Sequence, residues 1–142
     1  MTPEDMARLH KAAYDDRPWS ATEFAGLMSA KGVFVTGDTR AFALVRVLLD
    51  EAELLTIATH PDHRRQGLAR ALMEDWHRQA ADRGATRALL EVAADNTPAQ
   101  ALYIACGYTA DGRRRGYYDR RGAPPADAIL MSCPLTFGQP GA

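Results

Sequence analysis

Apolar residues recur in this chain at two spacings, and the changes between them predict its elements. Met6, Leu9 and Ala13 form a helical stripe running through about Tyr14, and Thr2-Pro3-Glu4-Asp5 ahead of it reads as a helix start. Pro is tolerated in the first turn, and acids are favoured at the positive end of the helix dipole. The loop Asp15-Asp16-Arg17-Pro18-Trp19 interrupts this stripe. Ser20-Ala21-Thr22-Glu23 then has capping-box spacing and opens a second helix expected to end near Gly32. Val33-Phe34-Val35 reads as a short strand, Gly37-Asp38-Thr39 as a turn, and Ala41 to Leu49 as a β-rich run that Asp50-Glu51 turns into a strand from Glu53 to Thr59. From Leu68 the period lengthens: Leu68, Leu72, Trp76 and Ala80, with Ala69 and Met73 beside them, make one helical face closed by Gly84. Ala88 to Val92 is a nearly continuous apolar strand that holds one acid, Glu91. Thr97-Pro98 starts a further helix with Ala101, Leu102 and Ala105 expected inward and Gly107 closing it, and Tyr108 onward and Ala128 to Leu135 read as two closing strands.

The resulting order is ααβββαβαββ. The strand–helix–strand unit from 53 to 92 requires a parallel pair with a crossover helix, and the remaining strands can pair antiparallel. The expectation is an α/β fold with a mixed sheet flanked by helices, a single domain over 1–135, and a flexible tail over 136–142.

Composition restricts the function classes. With 142 residues, 46% hydrophobic and 25% charged, the chain suits one globular domain with a core large enough to carry a cleft. A net charge of −1 argues against non-specific coating of nucleic acid, and no direct nucleic-acid binding is expected. The two cysteines, Cys106 and Cys133, form no Cys-x-x-Cys or Cys/His ligand pattern, and His10, His60, His63 and His77 make no ligand spacing, so no metal is expected. Isolated cysteines suit a reducing cytosol, the N-terminus does not read as a signal peptide, and no stretch approaches the roughly 20 apolar residues of a membrane span. A cytoplasmic protein is expected.

The turn Arg64-Arg65-Gln66-Gly67-Leu68-Ala69, between a strand and a helix, has the makings of an anion cradle. Unpaired amides at a helix N-terminus point outward and the dipole favours negative charge there. Gly67 lets the backbone approach a ligand closely, Ala69 is too small to cover the amides, and Arg64, Arg65 and Arg70 add positive charge. The bland alternative is a basic helix cap. No Gly-Lys-Ser/Thr follows, as a nucleoside-triphosphate loop needs, and no G-x-G-x-x-G is present for a dinucleotide fold.

With its flanks, this turn resembles the signature of the GNAT superfamily of acetyltransferases, Arg/Gln-x-x-Gly-x-Gly/Ala. Ile57-Ala58-Thr59-His60-Pro61 resembles the strand before that turn, and Glu91-Val92, Asn96, Ala101-Leu102-Tyr103 and Cys106-Gly107-Tyr108 resemble the second half of the family's acetyl-CoA site. Pro18-Trp19-Ser20, the run 50–55, Arg114-Arg115-Gly116-Tyr117-Tyr118 and Asp127 to Met131 are similar to the RimI group within it, bacterial enzymes that acetylate the N-terminal alanine of a small-subunit ribosomal protein. The resemblance implies a GNAT acyl-CoA N-acyltransferase fold and acetyl-CoA as co-substrate. It also implies cofactor contacts from Ile57, Ala58, Thr59, Arg64, Arg65, Gln66, Gly67, Leu68, Ala69, Arg70 and Asn96. Three departures stand out: the family's usual first strand is missing, Ala93 stands where arginine is common, and Asp95 where serine is common.

Acyl transfer from a thioester to an amine needs a neutral amine, a polarised carbonyl and a proton for the departing thiolate. A peptide α-amine, with a pKa of about 7.7–8.0, needs only modest help. Glu91, alone in an apolar strand where a carboxylate pKa rises, suits a general base, and the resemblance assigns it as proton acceptor. The alternative is a strand-end acid facing solvent. The resemblance assigns Tyr103 as proton donor; its alternative is an aromatic packed on the buried helix face. Backbone amides of Ile57–Thr59 would bind the pantetheine arm and polarise the carbonyl, which requires that strand to splay from its neighbour. Asn96 would hydrogen-bond the cofactor or cap the following helix. Cys106, which could suggest a covalent intermediate, falls among small apolar residues and reads as buried filler. Trp76 reads as core. Trp19, Tyr117 and Tyr118 are expected in loops as walls of a peptide groove, and Arg113 to Arg115 as a solvated face or a substrate contact.

Three functions compete: an N-terminal α-acetyltransferase acting on a protein, such as a ribosomal protein; an acetyltransferase for small amines; and an acyl-CoA-binding module without catalysis. A monomer or weak dimer is expected.

Overall fold

The computed structural model describes residues 1–14, 17–120 and 122–135; the expected tail 136–142, Asp15, Asp16 and Arg121 lie outside the described residues. Helix α1 spans Pro3–Ala13 and α2 spans Ala21–Met28. Each opens with a reciprocal capping box, Thr2 with Asp5 and Ser20 with Glu23, so two otherwise orphaned amides are satisfied at each N-terminus. Helix α2 stops at Met28, short of Gly32, and a turn occupies the interval.

Strands β1 (Val33–Asp38), β2 (Ala41–Leu48) and β3 (Glu51–Thr59) form the meander. Strand β1 is longer than expected because Gly37 remains in the ladder opposite Phe42. Its φ of +113° suits glycine, and a Cβ there would lie 2.2 Å from the Ala41 carbonyl oxygen. Helix α3 (Leu68–Asp82) crosses from β3 to β4 (Arg87–Ala93). Helix α4 (Thr97–Ala105) then leads to β5 (Thr109–Tyr118) and β6 (Ala126–Pro134). The six strands lie in the order β1-β2-β3-β4-β6-β5, with β3 and β4 parallel and every other neighbouring pair antiparallel. Among the described residues, β1 and β5 are the edges.

The sheet is buried on both faces. Ala43 and Val45 of β2 join Met73, Trp76 and Ala80 of α3, while Phe42 and Leu44 join Met6, Leu9 and Phe24 of α1 and α2. The expected α3 stripe is therefore core, with Trp76 fully buried. In α4 the expected inward face is partly displaced: Leu102 packs on the core, but Ala101 and Ala105 are exposed and Tyr103 is the buried residue of the helix.

Strand β3 breaks its own alternation. The register with β2 shifts between Leu44↔Thr56 and Val45↔Leu54, leaving Leu55 as an extra residue. Leu54 packs on the α3 side, Leu55 packs on the α1 side, and Thr56 bonds to His10 of α1. Such a bulge bends its strand. Parallel pairing with β4 ends just before it, at Glu53↔Leu89.

Candidate active site

Beyond Glu53 and Leu89 the two central strands separate. Strand β3 stays paired with β2 as far as Thr59↔Ala41, and β4 with β6 as far as Ala93↔Ala128. The half of β3 after the bulge therefore has one free edge, facing the gap. Polarity along that edge follows from two hydrogen bonds. The His60 amide donates to the Arg40 carbonyl at 2.8 Å, so His60 and, two residues back, Ala58 point at β2. Ile57 points the other way, since its carbonyl accepts from the Tyr14 hydroxyl. Ile57 and Thr59 thus offer backbone to the gap. Ala58, expected among the amide donors, does not: its backbone belongs to the β2 ladder and its side chain to the α1-side core.

The gap opens onto the Arg64–Ala69 turn. A 3-10 turn at Pro61–His63 leads into it, and Arg65 (φ 63°) and Gly67 (φ 76°) both take left-handed backbone. Gly67 is the N-cap of α3 and provides no side-chain cap. The first ladder bond runs from the Ala71 amide to the Gly67 carbonyl, at 3.1 Å. The earlier amides of the turn have no intrahelical acceptor. A Cβ built on Gly67 would meet nothing within 4 Å, so the space over those amides is open. Arg70 shares its charge with Glu74 at 3.5 Å, and Arg64 reaches back to the Ala13 carbonyl at 3.5 Å. A bare helix N-terminus beside a free strand edge fits a diphosphate joined to an extended, amide-bearing arm, the chemistry of acetyl-CoA.

Glu91 lies on β4 facing away from the Ala88-Leu90-Val92 core row. Its surroundings differ from the apolar strand the sequence suggests: the side chain is 30% exposed, and the Arg114 guanidinium stands 3.5 Å away. Adjacent positions of a strand face opposite sides, which a run of apolar letters conceals.

Tyr103 is buried on the inner side of α4, 5.9 Å from the Tyr108 ring. Burial pushes its phenol well above the ordinary tyrosine range, helped by the nearby phenols of Tyr14 and Tyr118 and by Cys106. Tyr118 is raised to about 12 by burial first, then by Glu91 and Tyr117. Tyr118 thus links the two expected catalytic groups, feeling Glu91 and Tyr14 and bearing on Tyr103. A phenol so raised stays protonated at neutral pH and can donate a hydrogen bond to a developing thiolate.

Tyr117 and Tyr118 belong to β5 and not to a loop as expected. The β5–β6 register slips between Arg114 and Tyr118. Asp127 holds the slip, accepting from the Gly116 amide at 2.8 Å and from Arg113 at 2.6 Å. These bonds, the Gly116 amide first, hold the Asp127 carboxyl below its usual range. Arg113 is thereby a structural residue, and Arg114 stacks on Tyr117 at 5.3 Å. Trp19 is in a loop as expected, but its ring packs on His10 and Phe24 and not on the β5 tyrosines. The Asn96 carbonyl oxygen caps α4, accepting from the Ala99 amide at 3.2 Å, which leaves its amide nitrogen for any ligand contact. Cys106 is half-buried and its thiol is raised, chiefly by burial, so it stays protonated.

Sequence reasoning overlooked Tyr14, Asp127 and His10. Tyr14 looks like the last residue of an apolar stripe, and Asp127 lies inside a strand motif. The histidines were weighed as metal ligands, whereas His10 and His77 are buried hydrogen-bonding residues. Among the described residues no group of three or more His, Cys, Asp or Glu side chains is placed to hold a metal, and no helix is long and apolar enough to cross a membrane.

Known proteins share this arrangement. The acetyltransferase (GNAT) family pattern matches residues 3–108. The [ribosomal protein bS18]-alanine N-acetyltransferase of Escherichia coli K12 is 39% identical over 124 residues, 84% of this chain and 83% of that protein. The crystal structure of the ribosomal-protein-S18-alanine N-acetyltransferase from Escherichia coli superposes with a TM-score of 0.86 at 34% identity, covering 99% of this chain and 92% of that one. Arabidopsis thaliana NAA60, solved in complex with acetyl-CoA, shares the fold at 17% identity, with a TM-score of 0.79 over 96% of each chain. From the matched turn, the splayed strands and these relatives, the chain belongs to the GNAT family of acetyltransferases.

Proposed function

We propose that this protein transfers the acetyl group of acetyl-CoA to the N-terminal α-amine of a protein, the acceptor being the N-terminal alanine of a small-subunit ribosomal protein. The observation that carries the reading is the gap between β3 and β4, which meets the uncapped N-terminus of α3 at one end and Glu91 at the other. The acceptor class rests on the similarity to enzymes named for that substrate.

In this reading the turn amides from Gly67 to Arg70, with Arg64 and Arg65, hold the diphosphate, and the free edge at Ile57 and Thr59 holds the arm and polarises the thioester carbonyl. The Asn96 amide nitrogen supplies a further contact. Glu91, directly or through one water, accepts the proton that the amine loses as its nitrogen bonds to the carbonyl carbon. As the carbon–sulfur bond breaks, Tyr103 donates to the departing sulfur. Tyr117, Tyr118 and Trp19 border the acceptor path.

The test is acetyl transfer to a short peptide beginning with alanine, followed by mass spectrometry. Efficient transfer is expected. Transfer to small free amines without transfer to the peptide would replace the acceptor assignment, and acetyl-CoA binding with no amine ever acetylated would leave a binding module.

A further inference from the structure

His10 is 4% exposed and lies between two segments distant in sequence. Its Nδ1 accepts from the Trp19 backbone amide at 3.0 Å. An imidazole nitrogen that accepts carries no proton, so the proton of the neutral ring is on Nε2, which faces the Thr56 hydroxyl at 3.1 Å. Beside the same imidazole, the Tyr14 phenol donates to the Ile57 carbonyl on the free edge of β3, next to Thr56. Around the ring stand Tyr14 at 4.7 Å, Trp19 at 5.1 Å and Phe24 at 5.4 Å. This contact depends on the β3 bulge: if alternation ran unbroken from Leu54 through Leu55, Thr56 would face α3 and not α1.

We propose that His10 is a positioning residue for the acceptor. In its neutral form it docks the loop after α1, which carries Tyr14 and Trp19, onto the free edge of β3. The proposal rests on the reading that the acceptor passes Trp19. Two sets of bonds, side by side, join loop to strand: Trp19 N–H to His10 and His10 to Thr56, and Tyr14 to Ile57. Burial lowers the imidazole pKa to about 4, with Glu23 opposing the shift, so the ring is neutral throughout the neutral range. Packing alone would be served by a phenylalanine, whereas two directed hydrogen bonds on opposite sides of one ring fix its orientation and that of the loop.

The test compares His10→Phe, which keeps a ring and loses both bonds, His10→Asn, whose carbonyl oxygen can replace Nδ1 as acceptor for Trp19, and Thr56→Val, which removes the Nε2 partner from the strand side. Peptide KM should rise about tenfold in His10→Phe, the effect of losing a directed hydrogen bond, and recover largely in His10→Asn. Thr56→Val should move in the same direction, with the acetyl-CoA dissociation constant unchanged in all three. Should His10→Phe fail to fold, Thr56→Val decides. An unchanged peptide KM in the folded variants overturns the proposal, as does a parallel loss of peptide affinity, acetyl-CoA affinity and thermal stability. Hydrogen exchange at the Trp19 amide separates the two readings. Protection in the native protein, lost in His10→Phe and regained in His10→Asn, supports docking even if the peptide is not the acceptor. Rapid exchange in the native protein overturns docking whatever the acceptor is.

Discussion

The proposed cofactor end of the cleft is one contiguous stretch, strand β3 running through the Arg64–Ala69 turn into α3, while the proposed acceptor end draws on four separate segments. Tyr14 and Trp19 come from the loop after α1, Glu91 from β4, Tyr103 from α4, and Tyr117 and Tyr118 from β5. The first end depends on backbone: bare amides, left-handed dihedrals at Arg65 and Gly67, and a strand edge. The second depends on side chains that the fold brings together, with Tyr118 between Glu91 and Tyr103 and both phenols raised chiefly by burial. Backbone chemistry tolerates side-chain change and suits a ligand that does not vary. Side-chain chemistry from several loops can be altered piece by piece, which suits an acceptor that does.

If that division is correct, variants at the two ends should fail in different ways. The largest effect is expected for Glu91→Gln: turnover falls about 10²–10⁴-fold, while acetyl-CoA affinity is retained. Steady-state rates with calorimetric binding check this, and unchanged turnover removes Glu91 from the mechanism. Tyr103→Phe keeps the buried ring and should lower kcat by about 10²-fold with little change in peptide KM, measured by single-turnover kinetics. An equal loss in binding would make Tyr103 a packing residue.

A third prediction asks whether the two sides unfold as one. His10 lies under the proposed acceptor side, and His77 lies on the buried face of α3, bonded to Tyr108 at 2.7 Å. Burial lowers both from 6.5 to about 4. Between these values the unfolded chain binds more protons, so stability present above about pH 6.5 is lost as pH falls towards about 4, by roughly 3 kcal/mol for each histidine. Thermal melts across this range should show the loss, and His77→Phe and His10→Phe should each flatten the slope. Flattening by only one would divide the molecule along the cleft. The smallest effect belongs to Gly67→Ala. Left-handed backbone at a non-glycine residue costs about 1–2 kcal/mol, so acetyl-CoA binding should weaken about tenfold, with the peptide KM unchanged. A change in peptide KM instead would erase the distinction between the ends.

Much of this was legible in the chain. Among the described residues, apolar spacing together with cap and turn signals placed the α-helices and strands, because burial on one face imposes a spacing of 3.6 or 2 on the apolar residues. The Arg64–Ala69 turn was legible because its parts are adjacent in sequence. Ends were less secure. Strand β1 continues through Gly37, which reads as turn punctuation but is required by the close Ala41 carbonyl, and α2 ends before the glycine expected to close it. In α4 the apolar alanines suggested the wrong inward face: Ala101 and Ala105 are exposed and the Tyr103 ring is buried.

The sequence by itself determined the element order, the crossover between β3 and β4, the position of the Arg64–Ala69 turn and the residue types available for acyl transfer. Each depends on local spacing or on the short reach of a turn. Only the tertiary structure decided that β3 and β4 part after Glu53 and Leu89, that Arg114 stands against Glu91, that Tyr117 and Tyr118 lie on a slipped strand held by Asp127, and that His10 joins the α1 loop to Thr56. These are contacts between residues up to tens of positions apart, fixed by strand register. A single extra residue at Leu55 reverses which face a side chain meets, and no local pattern of apolar and polar letters records it.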